Sequence, residues 1–206
     1  MSRLRNSPRL HKGAIVAIDP LVPIPTVIAF QYNPESMTRK LTPHMSGENG
    51  SKAEVQRVDR PPTEEITLRA EFDATDGLEA KAPLASSHGV YPQLSALETL
   101  LYPPKFRVIA NTVLAAIGVI EVIPPIAPLT LFVWGPKRVL PVRVTNLSIE
   151  ESAYDERLNP IQAQVDLSLR VLSYADFGMF DPGAFIFLAH HAVKEMLAST
   201  ATSNNL

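Results

Sequence analysis

Between Ile161 and Val171 the side chains alternate without a break. Ile161, Ala163, Val165, Leu167, Leu169 and Val171 fall on one side, and Gln162, Gln164, Asp166, Ser168 and Arg170 on the other. A period of two marks an extended strand with one buried and one wet face, and this one is long for such an element. A strand of this length needs partners. Val142–Ile149 supplies one, alternating in one phase up to Val144 and in the other from Leu147, which predicts a bulge near Asn146. Tyr154 to Pro160 reads as the hairpin loop between them, with Asn159 as its left-handed residue. A third strand lies at Glu65–Asp73, where Ile66, Leu68, Ala70 and Phe72 oppose Thr67, Arg69, Glu71 and Asp73. Thr26–Tyr32 and Leu129–Gly135 add apolar strands far apart in the chain. Such distant segments share a sheet only if the chain closes a β-rich body around them.

Proline supplies the punctuation. Nineteen prolines stand against nine glycines, clustered at Pro20, Pro23 and Pro25, at Pro61-Pro62, at Pro103-Pro104 and at Pro124, Pro125 and Pro128. Each fixes φ and removes a donor, so each cluster is expected at a connection or a strand edge. Thr42–Asp59, with Gly47, Asn49 and Gly50, reads as a long loop, and Ala74–Ser87 as another. Tyr91–Tyr102 has Leu94, Leu97 and Leu101 at helical spacing, Pro92 in the first turn and Pro103 as its stop. Asp181-Pro182 predicts a cap and first turn, followed by Phe185, Leu188, Ala189, Ala192, Val193 and Met196 on one helical face. The expected fold is mainly β (α+β): antiparallel strands in a barrel or sandwich, one packed helix and a C-terminal helix. The expected division is a flexible N-terminus over 1–12, a β domain over 13–175 with an apolar insert near 105–127, and a helix and tail over 176–206.

Charge and composition exclude several classes. The 206 residues carry a formal net charge of −2, too little to draw the chain to nucleic acid. Arg3, Arg5, Arg9 and Lys12 read as a solvated tail. The absence of cysteine removes disulfides and thiolate metal sites. Asp19, Pro20, Pro23 and Pro25 interrupt the apolar run after Gly13, which argues against a signal peptide. The run within Phe106–Ile126 is bracketed by Arg107, Asn111 and Glu121 and cut by Pro124-Pro125, short of the roughly 20 apolar residues a membrane span needs. Core burial or a protein contact is the expectation for it.

No catalytic motif is present: no nucleophile elbow, phosphate loop, dinucleotide fingerprint or zinc spacing. His190 and His191 diverge by about 100° on a helix and read as surface residues rather than ligands of one metal. Glu64-Glu65 and Glu150-Glu151 read as solvated strand ends, and Trp134 as a core or interface anchor. No cofactor or metal is expected.

The order of these segments carries a resemblance. Phe30-Gln31-Tyr32-Asn33-Pro34-Glu35-Ser36, then Leu68 to Asp73, Leu94 to Pro103, Leu131-Phe132-Val133-Trp134-Gly135 and Val142 to Tyr174 resemble the tube-type baseplate proteins of contractile injection systems, the phage-tail-like particles of bacteria. The likeness spans about Gly13 to Tyr174. It implies a tube-like β-barrel that assembles into a ring of six copies, linking inner tube to central spike, and no enzyme. Two positions depart from the pattern, Asn159 where relatives have Gly and Gln162 where they have a basic residue. The LysM module of many relatives is also absent, which favours a compact ring component.

On this reading the partners are further copies of the chain, the inner tube protein, the spike or hub and other baseplate proteins, with neither nucleic acid nor a membrane span. Assembly is expected in the cytoplasm, in a particle either released or retained. Interface residues are expected at Phe30, Tyr32, Asn33, Pro34, Phe132 and Trp134, in the insert at Ile117, Val119 and Ile120, and on the last helix at Phe185 and Leu188. Arg69, Glu71, Asp73, Gln162, Gln164, Asp166 and Arg170 are expected to form a lumenal or intersubunit polar face. The alternative is a β-barrel carbohydrate or cell-surface binding module, which requires exposed aromatics around a groove.

Overall fold

The computed structural model describes residues 11–19, 24–45, 58–102, 128–178 and 180–203, with isolated positions between 108 and 116. Its strands are β1 (Ala14–Ile18), β2 (Thr26–Ala29), β3 (Met37–Met45), β4 (Val58–Asp73), β5 (Leu129–Val133), β6 (Val139–Tyr154) and β7 (Pro160–Val171). Among the described residues they are accompanied by helices α1 (Thr75–Glu79), α2 (Pro83–His88), α3 (Tyr91–Glu98) and α4 (Pro182–Ser203), with isolated helical positions between 108 and 116. The strands form one antiparallel sheet in the order β2-β1-β5-β6-β7-β4-β3. The fold is therefore mainly β with packed helices, as the alternation predicts.

β6 is the pivot. It pairs with β5 only over Val139–Val142 and with β7 from Val142 to Tyr154. The short arm β2-β1-β5 folds over the long arm, because Ile15, Ile28, Phe30 and Phe132 share one core with Ile66, Phe72, Val165 and Leu169. The two ends of the order, β2 and β3, are not paired with each other among the described residues. The apolar faces expected of β4 and β7 are the buried ones. The bulge lies where the phase change puts it: Val144 opposes Leu169 and Asn146 opposes Ser168, leaving Thr145 as the extra residue.

Several expectations need correction. Ala74–Ser87 is not a loop but holds the two short helices α1 and α2, Pro83 opening the second. The expected loop Thr42–Asp59 is strand at both ends, as β3 runs to Met45 and β4 begins at Val58; 46–57 lie outside the described residues. Pro61-Pro62 sit inside β4 because that strand overruns β7, whose last pairing is Val171 with Glu64. There only β3 lies alongside, and the prolines fall in its irregularity, between the pairs Thr42–Thr63 and His44–Arg60. In the hairpin loop the positive φ belongs to Leu158 (62°), not Asn159. Asn159 instead donates from its backbone N to Asp155 Oδ1 (2.8 Å) and from Nδ2 to Oδ2 (2.8 Å). Leu101 is exposed, since α3 ends at Glu98 and buries only Leu94 and Leu97. The apolar insert, apart from a few isolated positions, and residues 1–10 lie outside the described residues.

The cap of α4 is as expected: Gly183 N donates to Asp181 Oδ1 at 2.8 Å. Its buried face is not. Ala184, Phe187 and His190 face the sheet, whereas Phe185, Leu188 and Met196 are exposed. The reason is electrostatic as well as apolar, because the face that docks also carries Lys194 to a buried carboxylate on β4.

Candidate interaction surface

The outer face of β4, β7 and β6 is a polar ladder set by register. Arg69 opposes Asp166, Glu71 opposes Gln164 and Asp73 opposes Gln162. On the other side of β7, Ser148, Glu150 and Ser152 oppose Asp166, Gln164 and Gln162. Six of the seven residues expected on the polar face thus adjoin one another. Arg69 grips Asp166 with two of its guanidinium nitrogens, Nε to Oδ1 at 2.6 Å and Nη2 to Oδ2 at 2.9 Å. That hydrogen bond, joined by the guanidinium's charge, holds the Asp166 carboxyl below its ordinary value. Gln162 Nε2 donates to Asp73 Oδ2 at 3.0 Å, and Gln164 Nε2 to Glu71 at 3.5 Å. Asp73 also accepts from the hydroxyl and N–H of Thr75, which lower its pKa in that order. Arg170 lies in the outward register opposite Glu65 but turns its guanidinium to Asp176, at 3.0 Å.

Beside the ladder are two shallow concavities of 320 and 340 Å³ that share Tyr32 and Glu71. Tyr32 is the one exposed aromatic lining either. Among the described residues no group of three or more His, Asp or Glu side chains is placed to hold a metal. Asp166, Asp73 and Glu71 each accept from a neighbouring side chain of the ladder.

The Phe30–Pro34 segment divides its work residue by residue. Phe30 and Phe132, expected at an interface, are fully buried and have no surface to offer a partner. Trp134 covers them, stacked on Phe132 at 5.7 Å and tilted against Phe30 at 6.4 Å. Gly13 is required beneath that indole, because a Cβ there would come within 2.6 Å of the ring. Gln31 bonds the end of β4 through its side-chain amide. Asn33 ties down the entry to β1, accepting from Gly13 N and donating to His11 O, each at 2.9 Å. Tyr32 is left half exposed, and Pro34 beside it is partly covered. Phe185 and Leu188 are exposed on α4, while Ile117, Val119 and Ile120 lie outside the described residues.

A second polar cluster went unread in the sequence. Glu64, expected at a solvated strand end, is 4% exposed on the inward side of β4. Its Oε1 accepts from Arg39 Nε (2.7 Å) and Nη2 (2.5 Å), and its Oε2 from Lys194 Nζ (3.2 Å). Burial alone would raise this carboxyl, but Arg39 and Lys194 outweigh it and bring it below its ordinary value. His190, expected on the helix surface, is buried beside this group, while His191 is exposed as the helical offset requires. The only signal for the cluster in the sequence is Glu64 falling in phase with Ile66 and Leu68.

Among the described residues the sheet leaves several strand edges open, the outer edge of β2 among them. β3 ends the sheet, so its side away from β4 has no strand partner. Beyond Val142, the β5 side of β6 is unpaired among the described residues as far as Tyr154. Among the described residues no helix is long and apolar enough to cross a membrane. No protein-family model matches the chain, and no curated protein is similar to it in sequence.

Proposed function

We propose that this chain is a structural baseplate component of a contractile injection system, six copies forming a ring that initiates or adapts the inner tube onto the spike hub. The observation that carries this reading is the complementarity of the open edges of β3 and β6. Along β6-β7-β4-β3 the strands alternate in direction, so β3 runs opposite to β6. A neighbour placed by rotation alone presents its β6 antiparallel to β3, which closes a ring without reversing any subunit. Setting Lys40 against Glu150 seats all of β3 on the open part of β6. The same register places Leu41, exposed on the inward side, against Ile149. Backbone pairing supplies adhesion, and alternate side chains supply register.

The polar ladder then lies on a surface continuous from copy to copy. A wet face of Gln, Ser and paired charges suits a hydrated lumen, since apolar side chains would hold a passing cargo. The chain's work on this reading is shape and stacking, with the inner tube, the spike or hub and other baseplate proteins as partners. Assembly takes place in the cytoplasm. The likeness of segment order described above supports the reading, and the concavities beside the ladder, with Tyr32 as their one exposed aromatic, offer a poor glycan platform.

The test is solution mass and negative-stain microscopy, alone and mixed with the tube and spike proteins. Rings of uniform diameter are expected. A chain that stays monomeric in every mixture and binds glycan overturns the reading in favour of the carbohydrate module. Because the chain has no cysteine, single cysteines at Glu71 or Gln164 also report directly. Ready labelling of them by a bulky reagent on the outside of assembled particles excludes a lumenal ladder.

A further inference from the structure

We infer that α4 is a clasp held on the sheet by a charge lock that acid opens, with His190 as its trigger. The lock gathers more positive than negative charge. Glu64 on β4 is its single carboxylate, bonded to Arg39 from β3 and to Lys194 from α4. Arg138, from the turn between β5 and β6, is a third cation close enough to feel both Arg39 and Glu64. His190 sits one turn before Lys194 and is 8% exposed.

The imidazole has no room for a second proton's partner. Its Nδ1 donates to the Lys137 carbonyl at 3.2 Å, which assigns the neutral tautomer with a lone pair on Nε2. Nε2 is buried and has no hydrogen-bond partner. A proton there creates an unmet donor and a further positive charge facing Lys194 and Arg138, with only Glu64 in opposition. His191 takes no part, for it points outward, stacks on Phe187 and reaches Glu195 at 3.4 Å. Burial and then Lys194 push His190 below its ordinary value, outweighing the Lys137 carbonyl and Glu64.

The sign follows from proton counting. Released α4 carries an ordinary imidazole, whereas docked α4 carries one that resists protonation. Above the ordinary histidine range both forms are neutral and docking is independent of pH. As pH falls through the window between the ordinary and the lowered value, the released form gains the proton and docking weakens, about tenfold per pH unit. Glu64 adds a separate loss further down, because its lowered carboxyl stabilises docking only while ionised. Release detaches Phe187 from the core and uncovers Ala184 but leaves the β6-β7-β4 pairing intact.

Hydrogen exchange of α4 amides in the full chain, corrected for intrinsic rates from about pH 8 to about pH 5, tests this. In the unaltered protein α4 opening is expected to rise about tenfold per pH unit below the ordinary histidine value, while β7 stays protected. His190→Gln, which cannot titrate, is expected to flatten that dependence. A flat profile in the unaltered protein, or an unchanged slope in the variant, overturns the proposal. Should the variant not fold, the His190 ring titration by NMR decides on the native chain. A midpoint below the ordinary histidine value supports the trigger, and one at or above it overturns it.

Discussion

Gln31 holds Asp73 as a strand would: its Nε2 donates to Asp73 O at 2.6 Å while its Oε1 accepts from Asp73 N at 2.8 Å. A side-chain amide thus completes the ladder where β4 runs out of neighbours, and it positions Tyr32 beside the polar face. Gln31→Ala removes both bonds and is expected to cost about 1–3 kcal/mol by urea denaturation. Gln31→Glu keeps the acceptor but sets a carboxylate against Asp73 O, and it is expected to cost at least as much. A midpoint unchanged in both would show that the clamp contributes nothing.

Glu64 is the charge whose loss leaves most unmatched. Glu64→Gln strands Arg39 and Lys194 and is expected to destabilise by about 2–3 kcal/mol, less than a fully buried pair because both cations reach solvent. The pH signature has a definite sign. The folded carboxyl lies below its ordinary value of 4.5, so its contribution is complete above that value and disappears as pH falls through the folded pKa. Denaturation midpoints measured from neutral pH down to about pH 3 should converge for the two proteins at the acid end. Parallel curves would contradict the assignment.

The parts of the fold that period-two alternation encodes were readable because one face of the sheet is apolar and the other wet. β7, β4 and the bulge at Thr145 belong to this class. β1 and β3 were not readable: Ala14–Ile18 is apolar nearly throughout, and β3 sits at an edge where Arg39 points inward to Glu64. The α4 face was misread for a related reason. Counting only apolar residues selects Phe185, Leu188 and Met196, but the docking face uses His190 to bond the β5–β6 turn at Lys137 and Lys194 to satisfy Glu64 on β4. Of the surface residues, the β4 and β7 members of the polar ladder were legible except for the direction of Arg170, whereas its β6 members Ser148, Glu150 and Ser152 were not. The open edges were not, since they depend on which strands become neighbours.

Gly89 occupies a place no other residue fills. Its φ is +58°, and a Cβ would come within 2.0 Å of Pro160 O, the same oxygen that accepts from Val90 N at 2.9 Å. Gly89→Ala must therefore strain the backbone and part α3 from the start of β7. A loss of more than about 2 kcal/mol is expected by urea denaturation. A variant as stable as the parent would mean that the α2–α3 corner shifts freely.

The edge-to-edge ring predicts a charge reversal with rescue. Lys40 and Glu150 lie on the outer side of separate edges of one subunit, and the proposed register sets them opposite each other between subunits. Lys40→Glu and Glu150→Lys singly should each oppose like charges in the seam and abolish rings under the microscope, with unfolding midpoints unmoved. The double variant should restore the rings. If single reversals assemble as the parent does, the seam lies elsewhere.

Neighbouring phenylalanines on α4 should behave as opposites. Phe187 is 9% exposed, packs edge-on to Tyr174 at 6.0 Å and joins the core. Phe187→Ala leaves a cavity under the helix and is expected to cost about 3 kcal/mol, with earlier loss of α4 protection in hydrogen exchange. Phe185, two residues earlier, is 57% exposed and continues with Leu188 and Met196 along the outer face. Phe185→Ser removes apolar surface that the folded subunit does not bury, so its unfolding midpoint should stay within about 0.5 kcal/mol of the parent while dye binding to exposed apolar surface falls. Equal destabilisation by the two substitutions would show that the helix is seated on the face its apolar pattern suggests, and would refute the docking face described here.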